Sequence, residues 1–138
     1  MTTRRQAREQ AFILIFEKAF QQDCTVDDIV AYAVESCFFE PDEYSVALAK
    51  KVEECEAEID EKIAPCLKKW TVSRIPRVAR SILKLAVCEM LYFEDVPVSV
   101  SINEAVELCK TYASKEDASF VNGVLGTISR SGEEKSEE

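Results

Sequence analysis

Apolar side chains return every three or four positions along almost the whole of this chain, and that period points to an all-helical fold. Ala7, Ala11, Leu14 and Ile15 form one stripe, beside a second of Phe12, Phe16 and Phe20. Tyr44, Leu48, Val52, Cys55, Ile59 and Ile63 form another, with Glu53, Glu54, Glu56, Glu58 and Glu61 largely off it. Ile75, Val78, Ala79, Ile82, Leu83, Ala86 and Met90 form a third, while Arg77, Arg80 and Lys84 share a different side. A period near 3.6 buries one face of a helix, whereas a half-buried strand needs a period of two. Three glycines and four prolines in 138 residues leave little turn material for a β fold.

The punctuation between stripes gives helix borders. The first helix is predicted over 4–22. Thr25-x-x-Asp28 reads as a capping box opening a helix to about Cys37. Pro41-Asp42 stops and restarts the chain, and a long helix follows from Glu43 until Pro65 ends or kinks it. Pro76 suits the first turn of a helix running to about Phe93, with Thr71 or Ser73 as cap. Val96 to Ser101 alternates like a strand, but an isolated strand has nothing to pair with, so an extended connection is expected. Ser101-x-x-Glu104 then reads as a capping box for a helix to Tyr112, and Ser114-x-x-Asp117 opens a last helix ending near Ser129. Residues 131–138 hold four glutamates and one lysine with nothing to bury, so a disordered acidic tail is expected. The length suits one domain, or two small subdomains sharing a core.

Several function classes drop out. The chain has no histidine, and its six cysteines, at 24, 37, 55, 66, 88 and 109, contain no Cys-x-x-Cys. That removes most zinc sites, the histidine-bearing triads and the usual general base. There is no phosphate-binding loop, no Gly-x-Gly-x-x-Gly and no nucleophile elbow. A non-enzyme without cofactor or metal is expected. Most cysteines fall in apolar stripes and are expected to be reduced, buried thiols. No apolar run reaches the roughly 18 residues of a membrane span. The run Phe12 to Phe16 is too short, and too plainly lacking a small-residue cleavage site, for a signal peptide. A cytoplasmic protein is expected.

Net charge is −9, which disfavours non-specific nucleic-acid binding. The charge is uneven, however. Residues 1–10 hold Arg4, Arg5 and Arg8 against Glu9 alone, and 68–84 carry Lys68, Lys69, Arg74, Arg77, Arg80 and Lys84 with no acid. Arg4 and Arg8 share a helix face at i and i+4. Cations in a first helical turn oppose the macrodipole unless an anion offsets them. Phosphate binding and a solvated terminus partly neutralised by Glu9 both fit. Phe120, close to Lys115 at the start of the last helix, suits either stacking on a single-stranded base or core packing against Val124. Glu89 lies on an inward stripe, so it should be paired or hydrogen-bonded, with capping of the helix near Ser101 as one possibility. Asn103 and Asn122 read as locks on helix termini, and Gly123 as a close helix–helix contact or a close ligand approach.

Ile102-Asn-Glu-Ala-Val-Glu-Leu-Cys-Lys110 followed by Phe120-Val-Asn-Gly-Val-Leu125 resembles the signature of the NusB family of bacterial transcription antitermination factors. Arg80 to Glu89, Asp95-Val-Pro97 and the opening Arg4-Arg-Gln-Ala-Arg8 resemble that family too, so the likeness covers residues 4 to about 129. The resemblance implies a compact all-α bundle of about six to seven helices in two packed subdomains, about 1–70 and 71–130. It implies binding of boxA, a short single-stranded element in the leader of ribosomal RNA transcripts. It also implies pairing with NusE, the ribosomal small-subunit protein, in a complex with NusA, NusG and RNA polymerase that promotes processive transcription. Carried over by position, Arg4, Arg5, Arg8, Lys115 and Phe120 would contact RNA, and Phe16 and Phe20 would face NusE. A helical protein–protein adaptor without direct RNA binding is the alternative.

Overall fold

The computed structural model describes the backbone of residues 2–67 and 71–136, with side chains as far as Ser131. Among the described residues there are seven α-helices and no strand. They are α1 (Arg4–Phe20), α2 (Val26–Glu35), α3 (Glu43–Glu54), α4 (Glu56–Ile63), α5 (Arg77–Tyr92), α6 (Val98–Tyr112) and α7 (Lys115–Ser136). Short 3-10 turns, Ala64–Cys66 and Val72–Arg74, lie between α4 and α5.

Local chemistry sets several borders as expected. Thr25 Oγ1 accepts from the Asp28 N–H at 3.1 Å, and the Asp28 carboxylate takes the Thr25 N–H at 2.9 Å. Ser114 Oγ accepts from the Asp117 N–H at 3.0 Å and opens α7. Thr3 and Gln6 form a further reciprocal box at the head of α1. Each satisfies backbone donors that a helix N-terminus otherwise leaves unpaired.

Other borders differ. The long helix from Glu43 breaks at Cys55, whose φ of −111° and ψ of 21° interrupt the helical path. The break lets α3 pack on α1 while α4 turns toward α5 and α7. Pro76 is the residue before α5 rather than in its first turn, with ψ of 140°. Thr71 and Ser73 hydrogen-bond to each other at 3.0 Å and cap nothing. The connection after Val96 is shorter than expected, because Pro97 at φ −60° already delivers the chain into α6. Ser101 is therefore inside α6, and its hydroxyl goes elsewhere. Helix α7 also continues past Ser129 to Ser136. Glu133, Glu134 and Lys135 are straight-chain helix formers, and extending an existing helix fixes one residue per hydrogen bond. The side chains of the expected acidic tail from 132, and all of 137–138, lie outside the described residues, as do Lys68 and Lys69.

The buried side chains form one continuous cluster from Ala11 to Ile128. Its axis is α5, where Ile82, Leu83, Leu85, Ala86, Val87 and Cys88 are all buried. The wide apolar face of α5 takes the centre of the bundle, with Arg77, Arg80 and Lys84 on the remaining side, and α1, α3, α4, α6 and α7 all pack on it. All six thiols are free. Burial pushes Cys88 and Cys109 up to about 12, which makes them unreactive packing residues. The expected burial holds for these two alone: Cys24, Cys55 and Cys66 are half-buried, and Cys37 is exposed in the α2–α3 turn, at a φ of +57°.

Candidate nucleic-acid interface

The three N-terminal arginines divide into two roles. Arg4 lies over the ring of Tyr44, its guanidinium carbon 3.8 Å from the centroid. Arg5 is exposed and forks onto Glu104, with Nε to Oε2 and Nη2 to Oε1 both at 3.1 Å. Arg8 is only 4% exposed. Its Nε donates to both oxygens of Glu89, at 3.1 and 2.9 Å. The expectation grouped all three with RNA. The structure puts Arg8 beneath the surface, committed to a buried carboxylate, and leaves Arg4 and Arg5 outside.

Glu89 is fully buried and accepts two further hydrogen bonds, from Ser101 Oγ at 2.6 Å and from the Tyr44 hydroxyl. Burial, reinforced by the Glu89 carboxylate, holds the Tyr44 phenol well above its ordinary range, so it stays a donor. The network joins α1, α3, α5 and α6 directly below Arg4. Glu89 caps no helix, and Ser101 and Glu104 form no capping box: one serves Glu89, the other Arg5.

Arg4 and Tyr44 line an open cleft of about 670 Å³ together with Phe93, Glu94, Asp95, Pro97 and Val100. One residue earlier on α6, Ser99 faces a second open groove, about 720 Å³, between α6 and α7. The two depressions share no lining residue and border α6 at successive positions, Val100 and Ser99. Asn103, Lys110, Lys115, Ser119 and Asn122 supply the polar wall of the second groove. Asn103 and Asn122 are exposed on it rather than locking helix ends. Their amides can reach base edges, which a helical stripe pattern alone does not reveal.

Phe120, next to Ser119, is 39% exposed and stands outside the buried cluster, while Val124 faces the core. The core reading for Phe120 therefore fails on geometry. Gly123, one turn on, does not serve helix packing: a methyl group there would meet nothing within 4 Å. Gly123→Ala is expected to stabilise the fold by about 0.5–1 kcal/mol, because glycine is entropically costly in a helix. Thermal melting checks the gain. A parallel loss of RNA affinity would identify the bare backbone beside Phe120 as a contact.

The aromatic residues of α1 form a separate surface. Tyr112, Phe12, Phe16 and Phe20 make successive ring contacts at centroid distances of 5.0, 5.8 and 4.9 Å. Phe12 is buried, Phe16 is half-buried, and Phe20 is 55% exposed beneath the Arg77 guanidinium. Arg4 and Phe20 sit at opposite ends of α1, about 24 Å apart at 1.5 Å per residue. Arg4 and Arg5 therefore sit at the opposite end of the first helix from Phe20, while Lys115 and Phe120 belong to α7. Among the described residues no cluster of metal-ligating side chains occurs, and no helix is long and apolar enough to cross a membrane.

An all-α core carrying exposed cations, amides and a ring on α1, α6 and α7, with an aromatic ladder along α1, has the make-up of a helical recognition module. A model of the NusB family matches residues 5–130. The chain is 39% identical over 136 residues to the transcription antitermination protein NusB of Clostridium acetobutylicum, covering 96% of this chain and 98% of that protein. It is 39% identical over 128 residues to the protein of that name from Oceanobacillus iheyensis, covering 91% and 97%. Among solved structures, T. maritima NusB superposes with a TM-score of 0.81 at 31% identity, over 94% of this chain and 93% of that one. A complex of the antitermination factors NusB and NusE with double-stranded RNA superposes with a TM-score of 0.81 at 26% identity, over 93% and 96%. The chain belongs to the NusB family.

Proposed function

We propose that this chain is a cytoplasmic, non-catalytic antitermination factor that binds boxA-type RNA in ribosomal RNA leader transcripts together with NusE. Within that role it joins NusA, NusG and RNA polymerase to keep transcription of ribosomal RNA processive. Its two halves, about 1–70 and 71–130, act as one body around the shared core. The observation that carries the reading is the set of exposed groups Arg4, Arg5, Lys115 and Phe120, together with open clefts that border α6 at Val100 and at Ser99. On a chain of net charge −9 this combination offers cations for phosphates, amides for base edges and a ring for stacking. Family membership and the RNA-bound NusB–NusE neighbour support the same reading. Arg4, Arg5, Lys115 and Phe120 make the RNA contacts, and Arg8 acts from below by holding the Glu89 network. Phe16 and Phe20 meet NusE, since exposed aromatic rings on a rigid helix are favoured anchors of protein interfaces.

Fluorescence anisotropy with a boxA RNA and a scrambled RNA of equal length, with and without NusE, tests the proposal. Preferential boxA binding that tightens with NusE is expected. Equal, weak binding of both RNAs in the presence of NusE would reduce the chain to a protein–protein adaptor.

A further inference from the structure

The cations of α5 are left unused by the RNA surface. Arg77, Arg80 and Lys84 stand at i, i+3 and i+7, so they share a helix face. With Lys18 of α1 they line a cleft of about 400 Å³ whose floor is Ile15, Val26, Ala49 and Val52. Two acids also line it: one is paired with a cation and the other keeps its charge, which leaves four cations against two carboxylates. Glu53 accepts the Val26 N–H at 2.8 Å, and Glu56 pairs with Lys84 at 2.8 Å. Among the described residues Lys18, Arg77 and Arg80 make no ion pair. Lys18 donates to the Gln22 carbonyl at 3.0 Å, Arg80 reaches the Ser73 carbonyl at 3.5 Å, and Arg77 lies on the Phe20 ring at 4.3 Å.

Three cations without carboxylate partners thus converge on one concave site in a strongly acidic chain. Gathering them there works against their mutual repulsion, and an anion between them removes that penalty. Over the apolar floor of the cleft the field of such charges is less screened than in open water. Guanidinium and ammonium groups beside the Ser81 hydroxyl are the donors that phosphate oxygens take up. The volume lies within the roughly 300–1,000 Å³ of small-ligand sites. We propose that the cleft between α1, α3 and α5 binds a small diphosphate-bearing anion. This site is separate from the RNA surface and does not depend on it.

Inorganic pyrophosphate is the probe, titrated into the full chain at constant ionic strength and followed by backbone amide NMR. Saturable shifts centred on Lys18, Gln22, Arg80 and Ser81 are expected. Lys18→Gln with Arg80→Gln should weaken binding at least about tenfold, in line with the loss of charge-assisted hydrogen bonds, while Arg80→Lys retains most of it. Circular dichroism checks that the double variant is folded; if it is not, Lys18→Gln alone, with Arg80→Lys, gives the comparison. Shifts that rise linearly and scatter over all basic residues would overturn the proposal, as would equal affinity in the charge-neutral variants. Displacement of pyrophosphate by boxA RNA would also overturn it, because the cleft would then belong to the RNA track.

Discussion

Glu89→Ala is expected to destabilise the protein by about 3–5 kcal/mol, the usual loss when one partner of a buried ion pair is removed. Glu89 has no exposed surface and accepts from Arg8, Tyr44 and Ser101 together. Removing it leaves the Arg8 guanidinium buried without a counter-charge, and it orphans two hydroxyls on different helices. Each unpaired polar group adds its own desolvation penalty. Replacing both members at once, Arg8→Met with Glu89→Leu, should be far milder, because an apolar pair of similar volume leaves no charge behind. Urea unfolding at neutral pH measures this as a shift in midpoint at unchanged slope. A loss under about 1 kcal/mol for Glu89→Ala, within the range of an ordinary hydrogen bond, would mean that the carboxylate does not carry the Arg8 charge.

That network also marks where the sequence stops being legible. The helical period and the local caps could be read directly, because Thr25 with Asp28 and Ser114 with Asp117 settle their own backbone within one turn. Ser101 and Glu104 show the same local pattern and do something different. Their partners, Glu89 and Arg5, lie 12 and 99 residues away and take the side chains first. The division of the arginines is of the same kind. Arg4 and Arg8 are indistinguishable by spacing, and only the carboxylate 81 residues downstream decides which one is buried. Glu89 itself was readable as an inward acid needing partners, though not as the hub of four helices. The break at Cys55 has no proline or glycine to announce it; both helices pack on α5, but α3 also packs on α1 and α4 on α7. Asn103 and Asn122 interrupt apolar runs, yet whether such residues lock a terminus or face a groove depends on how α6 meets α7.

The second large effect is expected at the surface end of the same helix. Arg4→Ala with Arg5→Ala should lower boxA RNA affinity about 100-fold at low salt, if each side chain meets one phosphate through charge-assisted hydrogen bonds. The dependence of log K on log salt should flatten by about 1.4, the counterion release of two phosphates on a single strand. The fold should survive, because neither guanidinium is buried and the Thr3–Gln6 capping box remains. Glu104 provides an internal control. It holds Arg5 in a bidentate pair, and that pairing competes with phosphate. Glu104→Gln should therefore strengthen RNA binding, by releasing Arg5 and removing a negative charge from the interface. Arg8→Ala should behave in the opposite manner to Arg4→Ala. It should weaken the fold through the stranded Glu89 carboxylate and leave the salt slope unchanged in whatever fraction remains folded. Fluorescence anisotropy over a series of salt concentrations separates the cases. Equal slopes for the wild type and for Arg4→Ala with Arg5→Ala would remove both residues from the phosphate contacts and move the RNA toward Lys115 and the α6–α7 groove. A slope that falls with Arg8→Ala would instead require the buried pair to open when RNA binds.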